Sequence, residues 1–215
     1  RLLNTDNIFS LNRIGYDQTI EAGTSLTIGL DYEKKDQGND NTILSSKIAT
    51  VFRDELNESL PTSSSLGKKQ SDFVGEINFS PNQIFKIGYD YAINSSLDEV
   101  NLHKLENIIT VNNFVNTFTF YEENNLVGKK SYYENDIKYK LNENNSLSFK
   151  TRENKTDNLT EYYDLVYEYK NDCLIAAIRY NKEYYSNRDV KPNEELFFNI
   201  TLIPLGSTET DSILD

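Results

Sequence analysis

Side chains suited to acid–base, nucleophilic or metal chemistry are few in this chain and far apart. His103 is the single histidine and Cys173 the single cysteine. A hydrolase of the Ser–His–acid type would have to be built around His103. That residue alternates within an extended stretch beside Lys104 and reads as a solvated or lumen position rather than a catalytic one. The adjacent acids Glu122–Glu123 and Glu194–Glu195 point to opposite faces of an extended chain and form no local carboxylate dyad. No glycine-rich loop cradles a phosphate. Cys173 has no partner for a disulfide within the chain, and its place beside "LIAAIRY" reads as a small buried thiol. The expectation is a protein without catalytic residues, metal ligands or cofactor.

The charged residues say more. Lys47, Arg53, Glu76, Lys86, Asp90, Glu134, Asp136, Lys138, Lys140, Lys150, Arg152, Asp164, Glu168, Lys170 and Arg179 mix both signs, each on the polar side of an alternating stretch. Such a lining suits a hydrated lumen that passes an amphiphile's charged head group or seats a plug protein. An ordinary solvated face reads the same way from alternation alone. The net charge of -12, from twenty-two basic and thirty-four acidic residues, argues against nucleic acid as a partner.

Strands must position these residues, because period-two alternation recurs along the chain. The clear stretches are 25–35, 45–55, 72–80, 83–93, 101–113, 114–123, 133–141, 146–153, 161–170, 173–185 and 195–203, each bounded by Asn, Asp, Ser, Gly or Lys clusters. In "QIFKIGYDYAI" Phe85, Ile87, Tyr89, Tyr91 and Ile93 share one face, with Lys86, Gly88, Asp90 and Ala92 on the other. No helix candidate stands out. Nothing approaches the roughly 20 apolar residues of a spanning helix, yet a membrane β-strand needs only about 10 residues with every second one apolar.

The connections "PNQ", "NN", "NENN" and "ND" are short enough for tight hairpins, and they alternate with longer ones such as "LNESLPTSSSLGKKQ" and "SNRDVKPNE". "KDQGNDN", of middling length, is the exception. Short turns at one end and long loops at the other characterise outer-membrane barrels. Tyrosine, with fifteen residues, gathers near strand ends at Tyr32, Tyr121, Tyr132, Tyr133, Tyr162, Tyr163, Tyr184 and Tyr185, as in the aromatic girdles of such barrels. Asn-x-Ser/Thr at Asn57, Asn94, Asn154, Asn158 and Asn199 is expected by chance in so Asn-rich a chain.

The fold class expected is therefore all-β: an antiparallel transmembrane β-barrel of which this chain holds about eleven strands. The odd count implies further strands upstream, since single-chain bacterial barrels carry an even number, and a start at Arg1 without initiator methionine or signal segment implies that processing or truncation removed what came before. The expected division is an external loop region at 1–22, the C-terminal barrel strands at 23–205 and a periplasmic tail at 206–215. A porin or other substrate channel is one alternative, and a soluble all-β binding protein another.

Several stretches resemble the C-terminal half of the LPS-assembly protein family LptD, in its alphaproteobacterial form. In "NIFSLNRIGYDQTIEAGTSLTIGLDY" the matching positions are Asn12, Arg13, Gly15, Tyr16, Asp17 and Gly23. In "ATVFRDE" and "SSSLGKKQSDFVGEINFSPN" they are Phe52, Arg53, Ser71, Asp72, Val74 and Gly75, and "LFFNITLIPLG" resembles the closing strand. The family barrel is large, about 26 strands.

The resemblance implies an outer-membrane location in a Gram-negative cell, with a periplasmic C-terminus. It implies lipopolysaccharide as cargo, delivered by a periplasmic bridge protein to an N-terminal domain outside this chain, and an LptE-type lipoprotein plug in the lumen, with outer-membrane lipids around the barrel. The last strand, Glu195, Leu196, Phe197, Phe198, Asn199, Ile200, Thr201, Leu202 and Ile203, would form one side of a lateral gate. Asn12 to Gly23 would belong to an external loop region that can fold back into the barrel. Members with disulfides between periplasmic domain and barrel carry a tandem cysteine pair; Cys173 stands alone, so oxidative control of that kind is not implied.

Overall fold

The computed structural model describes residues 3–13, 21, 23–38, 40–58, 60, 64–125, 128–184, 191–203 and 206–209. Its strands are β1 (Ser25–Lys35), β2 (Thr42–Arg53), β3 (Phe73–Phe79), β4 (Phe85–Ile93), β5 (Val100–Val111), β6 (Phe114–Asn125), β7 (Gly128–Lys140), β8 (Asn145–Asn154), β9 (Leu159–Lys170), β10 (Leu174–Glu183), β11 (Asn193–Leu202) and β12 (Gly206–Glu209). Each is hydrogen-bonded to the next in chain order, in one antiparallel sheet that does not close within this chain. The only helical element among the described residues is a 3-10 turn, Ser65–Gly67. Eleven of the strands fall on the stretches that alternation marks; β12 lies inside the stretch read as a tail.

The chain forms two compact units, Arg1–Glu106 with Tyr121–Lys130, and Asn107–Phe120 with Ser131–Asp215. In the first, β1 to β4 pair in simple registers, such as Gly29↔Ala49, Ile48↔Gly75 and Gly75↔Tyr91. In the second, β7 to β12 do the same, as in Glu134↔Arg152, Lys150↔Asp164 and Arg179↔Phe197.

Asparagine builds the turns. Asn82 Oδ1 accepts the N–H groups of Ile84 and Phe85, Asn142 Oδ1 those of Asn144 and Asn145, and Asn171 Oδ1 those of Cys173 and Leu174. At the opposite strand ends Asn94 and Asn154 play the same part. A short side-chain acceptor that mimics a backbone turn explains why this residue type recurs at the hairpins. Cys173, expected as a buried thiol, is exposed in the Asn171 turn; the strand begins one residue later.

The long-loop side differs from the reading of connection lengths. "NNLVGKK" is mostly strand, because β6 runs to Asn125 and β7 starts at Gly128. The pronounced long connections are 54–72 and 184–192.

The two faces separate cleanly. One carries large exposed apolar residues: Leu26, Ile28, Leu30 and Tyr32 on β1, Ile77 and Phe79 on β3, Leu165 and Tyr167 on β9, Ile178 on β10. Leu30 is 76 % exposed, which a water-facing surface would not repeat strand after strand. Polar groups on this face are satisfied in pairs. The Tyr89 hydroxyl lies 2.7 Å from His103 Nδ1 in the first unit, and Asn116 Nδ2 donates to Asn135 Oδ1 at 2.7 Å in the second. His103 thus sits with Tyr89 and Tyr91 on the apolar face, not in the solvated or lumen position expected. Its neighbour Leu102 takes the inward place in a buried cluster.

The tyrosines divide likewise. Tyr133, Tyr163 and Tyr184 join Phe118, Phe120 and Phe149 in ring contacts on the apolar face, and Tyr32 is exposed there. Tyr121, Tyr132 and Tyr162 do not belong to this girdle. They alternate to the other face, where Tyr132 and Tyr162 flank Arg152. Tyr185 lies outside the described residues.

Gly75 shows how tightly the apolar face is fitted. A Cβ there would stand 2.4 Å from the Tyr91 ring and 2.7 Å from the Lys47 carbonyl oxygen. Gly75→Ala is expected to cost about 1–3 kcal/mol through overpacking, read as a lowered midpoint of heat unfolding in detergent. Tyr91→Ala in the same chain should recover the part due to the ring and leave the part due to the carbonyl.

Candidate functional site

The other face is occupied differently in the two units. In the first, residues 3–13 lie against it. A single turn closed by Asn4 and Asn7, whose side chains take each other's backbone N–H groups at 2.9 and 3.0 Å, presents Leu3 and Ile8 to the wall. Ile8 is fully buried with Val51, Ala49, Val74, Ala92, Leu102 and Leu66. Burying side chains of this size contributes about 1.5–3 kcal/mol each, so the segment is held by its own small core. Phe9 reaches over Gly29, where an added Cβ would stand 2.8 Å from its ring. A cavity of about 200 Å³ remains between segment and wall, lined in part by Thr5, Ile8, Phe9, Asp31 and Lys47.

A buried charge cluster fixes the segment's end. Arg13 donates through Nε to the Ile8 carbonyl at 2.8 Å, through Nη2 to Thr27 Oγ1 at 3.1 Å and through Nη1 to Glu21 Oε2 at 3.0 Å. Arg53 at the end of β2 donates to the same Glu21 oxygen. All three side chains are less than a tenth exposed. Charge burial this deep is sustained only by pairing.

The remaining motif residues tie the 54–72 connection to the same strand end. The Val51 N–H donates to Ser71 Oγ at 2.9 Å, and that hydroxyl donates to the Asp72 carbonyl at 2.8 Å. The side chain thus fills a ladder position where β3 has not yet begun. The Asp72 N–H donates to Ser65 Oγ at 2.7 Å and its carboxylate accepts from Asn101 at 2.8 Å, which seats Leu66 in the core. Gly23 has φ 86° and faces Asp54, whose carboxylate accepts the Thr24 N–H at 3.2 Å. Asn12 donates its N–H to Ser10 Oγ at 3.2 Å. Gly15, Tyr16 and Asp17 lie outside the described residues.

Charged positions on this face pair across strands. In the first unit Lys47 binds Glu76 at 3.1 Å, Thr5 donates to Glu76 at 2.7 Å, and Lys104 binds Asp90 at 3.0 Å. Lys86 is exposed on β4. Arg53 departs from the charged lining read in the sequence: residues 3–13 form a strap over this wall that buries Ala49 and Val51, and Arg53 is buried beside it on Glu21.

In the second unit the ladder is half-exposed. Glu134 accepts from Arg152 at 2.6 and 3.0 Å, from Tyr162 at 2.8 Å and from Lys150 at 3.1 Å. Arg179 grips Asp164 with two bonds of 2.8 and 2.9 Å. Lys138 approaches Asp136 at 3.7 Å, while Lys140 and Lys170 are exposed and Glu168 is half-buried between Ser146 and Ala177. The guanidinium of Arg152 stacks 4.5 Å from the Tyr132 ring. The result is a surface of opposite charges paired between neighbouring strands.

The adjacent acids lie on opposite faces. Glu122 pairs with Lys129 at 2.9 Å while Glu123 accepts from Tyr121, and Glu194 takes Tyr180 and Lys182 while Glu195 takes Asn193. In β11, register puts Leu196, Phe198, Ile200 and Leu202 on the side of Ile178 and Tyr180, and Glu195, Phe197, Asn199 and Thr201 on the side of Arg179 and Asn181. Ile203 continues the strand's pairing through its N–H to the Cys173 carbonyl at 3.0 Å.

What sequence reasoning missed is the role of Ile8 and Glu21. The signal was present, as an apolar pair inside an Asn-rich turn and an acid between two family-motif arginines. No curated protein matches the chain. The family model for LptD, described as LPS transport system D, matches residues 3–118, a span that holds the strap, Arg13, Glu21, Arg53, Ser71, Asp72 and Gly75. On that match, the chain belongs to the LptD family of lipopolysaccharide transport proteins of the outer membrane.

Proposed function

We propose that the chain supplies C-terminal strands of an outer-membrane β-barrel that inserts lipopolysaccharide into the outer leaflet. The observation that carries this reading is the apolar face: exposed leucine, isoleucine and aromatic side chains at alternate positions of strand after strand, which lipid would cover. Inter-strand hydrogen bonds satisfy the backbone there, as hydrocarbon requires.

In this reading the charged face lines the lumen. Glu134, Lys150, Arg152, Asp164 and Arg179 meet head groups or an LptE-type lipoprotein plug, and β11 with Ile203 forms one side of the lateral gate. The turns at Asn82, Asn142 and Asn171 face the periplasm with the C-terminus, and the 54–72 and 184–192 connections face outward. Lipopolysaccharide arrives from a periplasmic bridge protein through an N-terminal domain of the full-length protein.

The test is photo-crosslinking in intact cells, using the full-length protein with a crosslinking amino acid at Val166 on the charged face and, separately, at Leu165 beside it. Position 166 should capture lipopolysaccharide or the plug during transport, in an energy-dependent manner, while 165 captures bulk membrane lipid whether or not transport runs. Capture of neither at 166, with 165 unchanged, would sink the reading.

A further inference from the structure

The cavity between residues 3–13 and the wall is lined by two kinds of surface: apolar at Ile8, Phe9, Gly29 and Ala49, charged at Asp31 and Lys47. Phe9 rests on Gly29 and is still 64 % exposed, so most of the residue is open. Asp31 stands opposite Lys47 in the β1–β2 register, but Lys47 turns to Glu76, which also takes the Thr5 hydroxyl. The exposed Asp31 carboxylate is left without a hydrogen bond or ion pair among the described residues. Asp6 on the strap lies within electrostatic reach of Lys47 as well. Three acids, Asp6, Asp31 and Glu76, therefore gather around one lysine, and Lys104, the other cation near Glu76, is held by Asp90 at 3.0 Å. An anionic head group is repelled here, and an uncharged chain makes no use of the carboxylate.

We propose that this cavity is a receptor for a lysine or arginine side chain carried by a protein seated in the lumen. The inference rests on the reading of this face as the lumen wall. A volume of about 200 Å³ has room for roughly six groups of water's size, at about 30 Å³ each, which suits a side chain of that length. The aliphatic stem packs on the apolar lining, and the charged end meets the open Phe9 ring and the Asp31 carboxylate. Seating it there fastens the partner to the strap, which the Ile8 core and the Arg13–Glu21–Arg53 cluster already hold to the wall.

The experiment uses the full-length protein in its native membrane, with a photo-crosslinking amino acid at Leu11, which is 95 % exposed two residues beyond Phe9. The captured peptide is sequenced by mass spectrometry, and a peptide of another protein containing lysine or arginine is expected. Asp31→Lys should lower its capture about tenfold, because like charges are set against each other, and changing the captured basic residue to glutamate should restore it. Asp31→Asn, which keeps the shape, should act in the same direction and less. Phe9→Leu should lower capture about threefold through loss of the ring's attraction for a cation, while Phe9→Tyr should not. Gel mobility of the folded barrel checks that each variant has assembled. The proposal is overturned by capture of lipid alone, of a second copy of this chain, of a peptide without a basic residue, or of nothing. It is equally overturned by capture that Asp31→Lys leaves unchanged, or whose loss the reversed charge does not restore. Arrival of lipopolysaccharide at the cell surface is measured in the same cells. Normal arrival without basic capture removes the receptor and leaves the function; capture that answers both charge reversals in a barrel moving no lipopolysaccharide refutes the function and leaves the receptor.

Discussion

Glu21→Ala is expected to destabilise the full-length barrel by about 3–5 kcal/mol, the cost of stranding buried charges without their partner. Among the described residues Glu21 is the acid that pairs with both Arg13 and Arg53, and the side chains of the arginines are 9 % and 3 % exposed. Without the carboxylate two guanidiniums face each other in a site that water barely reaches. The residues either rearrange or the segment 3–13 leaves the wall and exposes Ile8 and Val51. Denaturant unfolding in detergent, followed by the gel mobility of the folded barrel, reads the loss. Limited proteolysis near residue 13 reads the release.

Two comparisons make the effect specific. Lys182→Ala removes a pair with Glu194 at 3.4 Å whose side chains are 28 % and 46 % exposed, and should leave the unfolding midpoint almost unchanged, because solvent screens such a pair. Replacing Arg13, Glu21 and Arg53 together by Met, Leu and Met should recover much of what Glu21→Ala loses, because removing a whole buried cluster is milder than breaking it. An unchanged unfolding midpoint for Glu21→Ala would show that the cluster is hydrated and does not hold the strap.

Arginine at position 178 and arginine at position 177 should differ sharply, although the residues are neighbours. Ile178 is 47 % exposed at the middle of β10, between Tyr167 and Phe198 on the apolar face. Ala177 lies between Glu168 and Asn199 on the other. If the apolar face meets hydrocarbon, Ile178→Arg costs about 2–4 kcal/mol near the bilayer midplane. Ala177→Arg enters a wet, acid-bearing surface and costs well under about 1 kcal/mol, as surface substitutions usually do. Folding titrations of the full-length barrel into lipid vesicles measure both. Equal costs would mean that both faces meet water, and the outer-membrane reading would have to be given up.

Much of the architecture was legible in the residues because a strand's alternation is local. An extended backbone turns successive side chains to opposite faces whatever the rest of the chain does. The stretch 25–35 is strand over that same range, and Phe85, Ile87, Tyr89, Tyr91 and Ile93 keep their face. Turn chemistry is equally local, so asparagine marks the hairpins. Charge composition argued against nucleic acid without any fold.

Three-dimensional packing decided the rest. Period two says that Val51 and Arg53 share a face with Lys47, but not that residues 3–13 return to cover two of the three. That depends on Ile8 finding Val51 across a long stretch of sequence. Whether a tyrosine near a strand end joins a girdle or flanks Arg152 turns on a one-residue phase, and adjacent pairs such as Tyr132–Tyr133 must divide. His103 falls on the apolar face because its neighbour Leu102 is taken into the core, and there a hydroxyl on the neighbouring strand satisfies its ring. The pairing of 206–209 with Asn199–Leu202 of β11 is likewise something alternation does not announce. The sequence by itself determined the strands, their faces and the turns, because those follow from the backbone's own geometry; the cover of residues 3–13, its buried charges and the pairing of β12 with β11 were settled only by which distant segments came to lie against each strand.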